Sequence, residues 1–300
     1  MSVPISVVMS VYNSQAYLEE AARSILDQTF RDFEFIIIND GSTDGSQAIL
    51  DRLAAADRRI KLISRENKGL PATLNEGIAL AQGEFIARMD SDDIALPTRF
   101  EKQLAFMREH PEVTCLGSRV ILVDPFGTEI STTDHPLTHD ELDAMLLKGI
   151  GWAVVHPVAF LRKQAVLEGG GYNLNNRPGQ DMELWLRMAE RGKLANLAEP
   201  LLKYRQHLES ANFAKAEQQK RFKVQVMTDA YARRGLPPFD PSILPPPPLT
   251  DPMQSRLRWG WRALKVGNPR AARSHAWANL KSRPTSVESW KLLLAGIRGR

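Results

Sequence analysis

The chain carries one cysteine, Cys115, in 300 residues. That excludes an internal disulfide framework and fits a reducing compartment. Between Thr114 and Leu116 it reads as a small core residue rather than a nucleophile. No run reaches the roughly 18 apolar residues of a membrane-spanning helix. The apolar start, Val3 to Val11, lacks the basic flank and cleavage site of a signal peptide. These absences predict a cytoplasmic protein. Several site chemistries are also missing. There is no Gly-x-x-x-x-Gly-Lys-Ser/Thr loop and no Gly-x-Gly-x-x-Gly after the first apolar run, so neither a P-loop NTPase nor a dinucleotide enzyme is supported. Nor is there a Gly-x-Ser-x-Gly elbow or a Cys/His zinc cluster.

What is present is an ordinary globular composition, 43% hydrophobic and 25% charged, in a chain long enough for one large domain or two small ones. The net charge of +4 is unevenly spread. Residues 251–300 hold eight Arg and three Lys against Asp251 and Glu288, a net +9, which leaves −5 for the remainder. Four of the six tryptophans (Trp259, Trp261, Trp277, Trp290) lie in the same tail. Body and tail are expected to meet different partners.

Ile5 to Val11, Phe33 to Ile38, Ile60 to Ile63 and Phe85 to Met89 are short, β-branched apolar runs, each followed by a polar loop. Helical spacing predicts helices from about Ala16 to Gln28, around Ile49 to Leu53, and from Pro71 to Ala81. Alternation of this kind argues for a mostly parallel sheet with helices on both faces. Right-handed crossovers put the loops after the strands on one edge, where open α/β sheets bind ligands. Further on, the pattern predicts a helix from Thr98 to Glu109, a strand from Cys115 to Val123, a capping box at Thr138 to Glu141, and a helix whose first turn holds Asp181. A strand from Leu201 to Gln206, a helix from about Phe213 to Arg234, a proline-rich spacer over 236–249, and two or three short helices in 252–298 complete the reading.

The chemistry concentrates at Arg88-Met89-Asp90-Ser91-Asp92-Asp93. Carboxylates this dense repel one another unless a cation or a proton relieves them. A hard divalent metal bridging to phosphates is one answer. A solvated acidic turn before the next helix is the other.

Ser10-Val11-Tyr12-Asn13, Asn39 to Asp44, Asn67-Lys68-Gly69, Asp90-Ser91-Asp92-Asp93 and Gln180-Asp181, in this order and spacing, resemble family-2 glycosyltransferases of the GT-A fold over residues 3 to about 210. The resemblance implies inverting sugar transfer from a nucleotide-diphosphate sugar, UDP-linked by preference, to an acceptor hydroxyl in surface polysaccharide or glycolipid synthesis. Carried over, Val11 and Tyr12 border the nucleobase, Asp40 accepts its ring N–H, Asp90 holds the ribose side, and Asn13, Gly69 and Ser91 complete the donor site. Asp92 ligates Mn²⁺ or Mg²⁺, and Asp181 is the general base. His207 would be a third metal ligand, a phosphate contact shared with Arg205, or a plain loop histidine. His156 and Trp185 would stand on the acceptor side. Gln180 departs from the Glu common at that position, and Glu183 is a second candidate for the base. The implied organisation is a donor half over 1–110, an acceptor half over 111–212, and a helical extension over 213–300. A nucleotidyltransferase and a non-catalytic nucleotide-sugar or glycan-binding module are the alternatives. For the tail, the readings are a helical pair packed on itself or a peripheral contact with the inner face of a membrane. Nothing else supports nucleic acid.

Overall fold

A computed structural model describes residues 3–175, 179–206, 216–245 and 251–299. Its first half alternates as the periodicity predicts: β1 (Ile5–Val11), α1 (Leu18–Leu26), β2 (Phe33–Asp40), α2 (Ser46–Ala56), β3 (Ile60–Arg65), α3 (Leu70–Leu80) and β4 (Phe85–Asp90). The four strands are parallel. β1 and β2 lie inside the sheet, which explains their unbroken apolar runs, whereas β3 at the edge is only partly covered, with Lys61 and Ser64 exposed. Register aligns the strand ends. Ser10 pairs with Asp90, Val11 with Asn39, and Asp40 with Arg65, so the loops after β1, β2, β3 and β4 emerge on one rim.

The chain continues through β5 (Ile94–Ala95), α4 (Arg99–Glu109), β6 (Val113–Ser118), β7 (Ile121–Val123), β8 (Glu129–Thr132), α5 (His139–Leu146), β9 (Phe160–Arg162), α6 (Lys163–Glu168), α7 (Gln180–Ala189), β10 (Lys193–Leu197) and β11 (Leu202–Arg205). The seven-stranded sheet has the order β10-β6-β9-β4-β1-β2-β3, with β9 antiparallel to both neighbours. The single strand expected from Cys115 to Val123 is two strands in two sheets. β6 pairs with β9 and β10, while β7 pairs with β8 and β11. Cys115 is wholly buried in β6, and burial pushes its thiol pKa far up, so it is an inert core residue.

The chain divides into two compact units. The first comprises residues up to Val120, Asp134–Leu202 and Gln218–Pro245. It includes most of α8 (Ala216–Arg233), whose Val226, Met227 and Ala230 are buried among Met182, Leu184, Trp185 and Leu186 of α7. The Tyr231 hydroxyl donates to the Leu147 carbonyl at 2.9 Å, and Arg234 donates to the Leu186 carbonyl at 3.0 Å and pairs with Asp143 at 2.7 Å. The second unit comprises Ile121–Thr133, Lys203–Glu217 and Pro246–Arg300. Its helices are α9 (Pro252–Lys265), α10 (Pro269–Ser282) and α11 (Val287–Arg298), begun by the side-chain caps Asp251, Asn268 and Ser286. Gly260 lets α9 approach α11 closely, since a Cβ there would press into Leu292 Cδ2. Asp124 fixes the turn after β7 by accepting from the Phe126 and Thr128 amides at 2.9 and 2.8 Å, and His275 of α10 lies 3.6 Å from its carboxylate. Among the described residues no helix is long and apolar enough to cross a membrane.

Candidate active site

The rim above β1–β4 is tied together by short polar links. Asn13 adopts φ 50°, which asparagine tolerates, and its side-chain oxygen accepts from the Thr43 amide at 2.8 Å. The Ser42 hydroxyl accepts from the Asn13 amide at 3.0 Å. Ser14 and Ser91 hydroxyls lie 2.6 Å apart, which ties the loop after β1 to the acidic loop after β4. Tyr12 projects from this rim, 52% exposed, and offers an open aromatic face. Val11, expected beside it, is wholly buried.

Asp40, expected to accept a nucleobase N–H, is tied into the neighbouring loop. It is 2% exposed, and both oxygens are engaged: Oδ1 accepts from the Lys68 amide at 2.8 Å and Oδ2 from the Gly69 amide at 2.9 Å. Arg65 closes an ion pair with it and also reaches Glu76 at 2.8 Å and Thr73 at 2.9 Å. Three of the acceptor positions of Asp40 are thus taken within the protein. Asp40 organises the Asn67–Gly69 loop, where Gly69 takes φ 86° at the start of α3. Arg65, with its side chain 13% exposed, clamps that loop.

The acidic run is a cluster. Asp90, Asp92 and Asp93 each place a carboxylate oxygen within 4.8 Å of the others. Asp93, without an expected role, is 1% exposed and belongs to the group. Arg88, buried at the end of β4, is ion-paired with Asp90. Behind it Arg99 is also buried and donates to the Arg88 carbonyl at 2.7 Å and to Gln103 at 3.0 Å. Burial raises the Asp90 pKa above the ordinary carboxylate range; Arg88 opposes the rise, and the charges of Asp92 and Asp181 add to it. Three crowded oxygen donors, one of them disfavoured in its ionised form, fit a hard divalent cation.

Asp181 sits in the first turn of α7 after Gly179, whose φ of 90° turns the chain into the helix. Its Oδ1 accepts from the Met182 amide at 2.8 Å. Burial raises its pKa, opposed by the Met182 amide, Arg88 and Lys223. Arg88 thus acts on both Asp90 and Asp181, which places the two carboxylates in one electrostatic neighbourhood although they are far apart in sequence. Glu183 is removed as an alternative base. It is held by Arg187 through two bonds of 2.7 and 2.6 Å, and Arg187 also donates to the carbonyls of Gly169 and, at 2.6 Å, Gly171. This pair pins the glycine turn to α7. Glu183→Gln should therefore lower stability by about 2 kcal/mol and the thermal midpoint by several degrees. Calorimetric scanning checks this.

The histidine and tryptophan expected beyond the base behave differently. His156 Nε2 lies 2.8 Å from the Tyr172 hydroxyl, and burial, with Arg88 nearby, holds its pKa well below the ordinary histidine value. It is a neutral imidazole in the same neighbourhood as Asp181, whose charge also acts on Tyr172. Trp185 does not face an acceptor. It is wholly buried, donates to the Val154 carbonyl at 3.1 Å, and meets His156 edge-on at 5.9 Å. Removing its ring would cost about 3–5 kcal/mol of core packing, so it supports His156 from behind. His207 lies outside the described residues. Arg205 is buried and donates to the Pro125 carbonyl at 3.1 Å, within the second unit.

Sequence reasoning missed Tyr172 and Lys223. Lys223 is on α8, and the opposing charge that acts on it is that of Asp181. The available signal was a lysine aligned at helical spacing with Met227, Ala230 and Arg234.

Residues 6–170 match the family model described as glycosyl transferase family 2. The chain is 34% identical over 215 residues to an "uncharacterized glycosyltransferase" of Haemophilus influenzae, covering 68% of this chain and 65% of that one. It is 33% identical over 210 residues to the O-antigen biosynthesis glycosyltransferase WbnJ of Escherichia coli, covering 69% and 81%. Among solved structures, S. aureus TarS 1–349 in complex with UDP-GlcNAc superposes with a TM-score of 0.62 at 14% identity, over 99% of this chain and 92% of that one. The mannosyltransferase PcManGT of Pyrobaculum calidifontis, in complex with GDP-Man and Mn²⁺, gives 0.55 at 17% identity, over 99% and 80%. At those identities the structural likeness concerns the fold alone.

Proposed function

This chain belongs to glycosyl transferase family 2 and is a glycosyltransferase of the GT-A fold, and from that premise we propose that it transfers a sugar with inversion from a nucleotide-diphosphate sugar to an acceptor hydroxyl, with a divalent cation at the Asp90–Asp93 loop. The observation that carries this reading is the cluster of Asp90, Asp92 and Asp93 on the strand-end rim, with carboxylate oxygens within 4.8 Å of one another and Arg88 paired to Asp90 behind them; the charge of Arg88 also acts on Asp181. The donor half is residues 1–110 and the acceptor half 111–212, with 213–300 a helical extension whose first helix completes the core beside Asp181.

Asp92 is the principal ligand for Mn²⁺ or Mg²⁺, because Asp90 is committed to Arg88. When bound, the cation would stabilise the negative charge that grows on the departing nucleoside diphosphate. Tyr12 offers its exposed ring to the nucleobase, and the backbone of Val11, Asn13, Gly69 and Ser91 shapes the rest of the donor rim. Asp181 takes the proton of the attacking hydroxyl, whose high pKa requires a positioned base. With Glu183 engaged by Arg187, one carboxylate on that side suits a single displacement and hence inversion. The neutral His156–Tyr172 pair borders the same side and can orient an acceptor by hydrogen bonding. TarS with UDP-GlcNAc and PcManGT with GDP-Man and Mn²⁺ support a nucleotide-sugar donor and a metal. UDP is the preferred carrier. WbnJ supports a polysaccharide or glycolipid product. The reading includes peripheral contact with a membrane through residues 251–300.

The test is release of nucleoside diphosphate from a panel of UDP- and GDP-sugars with Mn²⁺ present. Selective release from one donor is expected, and tight binding without turnover on any acceptor would favour a binding module instead. Lys223 opposes the pKa rise at Asp181, so Lys223→Met should move the acid limb of the pH–rate profile to higher pH. Lys223→Arg should restore it.

A further inference from the structure

Helix α11 is apolar on two opposite sides. Ser289, Leu292 and Gly296 are buried against the other helices of the second unit. On the other side Val287, Trp290, Leu294 and Ile297 recur at intervals of three, four and three residues and are 64%, 45%, 49% and 63% exposed. A helix apolar all round is normally covered all round, and here one side is not.

That spacing is also the seam of a coiled coil, so a second copy is one possible cover. The flanking charges speak against it. With Val287 and Leu294 at the first seam position, Lys291 and Arg298 both follow the second and would flank the interface. The opposite flank carries Ser286 and Leu293, so a second copy would bring no carboxylate to meet them; within its own helix Lys291 pairs with exposed Glu288 at 2.6 Å, a weak surface pair. Antiparallel pairing would oppose cation to cation, and parallel pairing would give neither a partner across the seam. The same two cations, with Leu294 and Ala295, line an open hollow of ≈ 530 Å³. Lys291 and Arg298 against Glu288 leave the flank net positive, and an apolar stripe beside such a flank is complementary to a surface with negative charges over an apolar interior.

We propose that the Val287–Ile297 face of α11 is a lipid-binding surface that lies flat on a membrane rich in anionic headgroups. Trp290, Leu294 and Ile297 enter the acyl boundary, and Lys291 and Arg298 meet the headgroup phosphates. Resting on the peripheral-contact reading of residues 251–300, this names the helix face and the lipid class.

The test is cosedimentation of the full chain with vesicles of phosphatidylcholine and of phosphatidylcholine mixed with phosphatidylglycerol. The wild type should bind the mixed vesicles, lose that binding as salt is raised, and bind phosphatidylcholine weakly. Leu294→Glu/Ile297→Glu should weaken binding by about tenfold or more, with circular dichroism confirming that the helices remain. If wild type and variant bind the mixed vesicles equally, peripheral contact stands but α11 is the wrong surface. Absence of wild-type binding would remove both the contact and this face. Equal binding to both lipids would overturn the anionic preference. A concentration-dependent dimer of the wild type that the variant abolishes would assign the stripe to a second copy.

Discussion

Asp181→Asn should lower sugar transfer by about 10²–10⁴-fold while donor affinity stays near the wild-type value. The substitution keeps the shape of the side chain and its place at the start of α7 but removes the capacity to take a proton. The oxygen of the introduced side-chain amide can still accept from the Met182 N–H, so the local turn is not expected to unravel. Donor affinity measured by calorimetry with UDP and Mn²⁺, alongside transfer rates, separates chemistry from binding. The wild-type pH profile carries a second mark of the same group. Asp181 must be ionised to act, and burial raises its pKa above that of an ordinary carboxylate. Activity should therefore fall on acidification through an apparent pKa above the usual carboxylate range, and remain on the alkaline side of it. An Asp181→Asn protein that transfers at the wild-type rate would remove Asp181 as base.

Asp92→Ala should lower turnover by about 10²–10³-fold and abolish most of the response to Mn²⁺. Its neighbours are poor substitutes. Asp90 is bound to buried Arg88, and Asp93 is 1% exposed. Removing Asp92 also takes away one of the charges that raise the Asp90 pKa, so the cluster should become less repulsive. The variant is therefore expected to fold at least as stably as the wild type without metal, yet to gain less on adding Mn²⁺, because ligand stabilisation follows affinity by mass action. Thermal midpoints with and without Mn²⁺ check this. A metal response equal to that of the wild type would move the ligand role elsewhere in the cluster.

The parts legible in the sequence are those with a local periodic signal. β1 and β2 are long apolar runs because both faces of a central parallel strand are covered, and α1 and α3 show their inward faces at helical spacing. Asp90, Asp92 and Asp181 stand out because carboxylates at strand ends and helix starts are chemically conspicuous. What is not legible depends on pairing at a distance. Nothing local marks where β6 ends in one sheet and β7 begins in another, since the turn between them is only Arg119 and Val120. β10 is a five-residue strand whose place is set by β6. The loop ties of Asp40 have no local signal because its partners, the Lys68 and Gly69 amides and Arg65, come from a different part of the chain. Trp185 resembles an acceptor contact because its burial depends on Val154 and α8. Lys223 enters the site only through the packing of α8 on α7, which no motif announces.

The most direct test of a metal-dependent transfer is nucleoside diphosphate release by the wild-type protein from its preferred donor and acceptor, measured with Mn²⁺ and again after chelation with EDTA. Turnover with the metal, its loss on chelation, and its return when Mn²⁺ or Mg²⁺ is restored are expected. Turnover that continues undiminished in EDTA would contradict a catalytic cation at the Asp90–Asp93 loop.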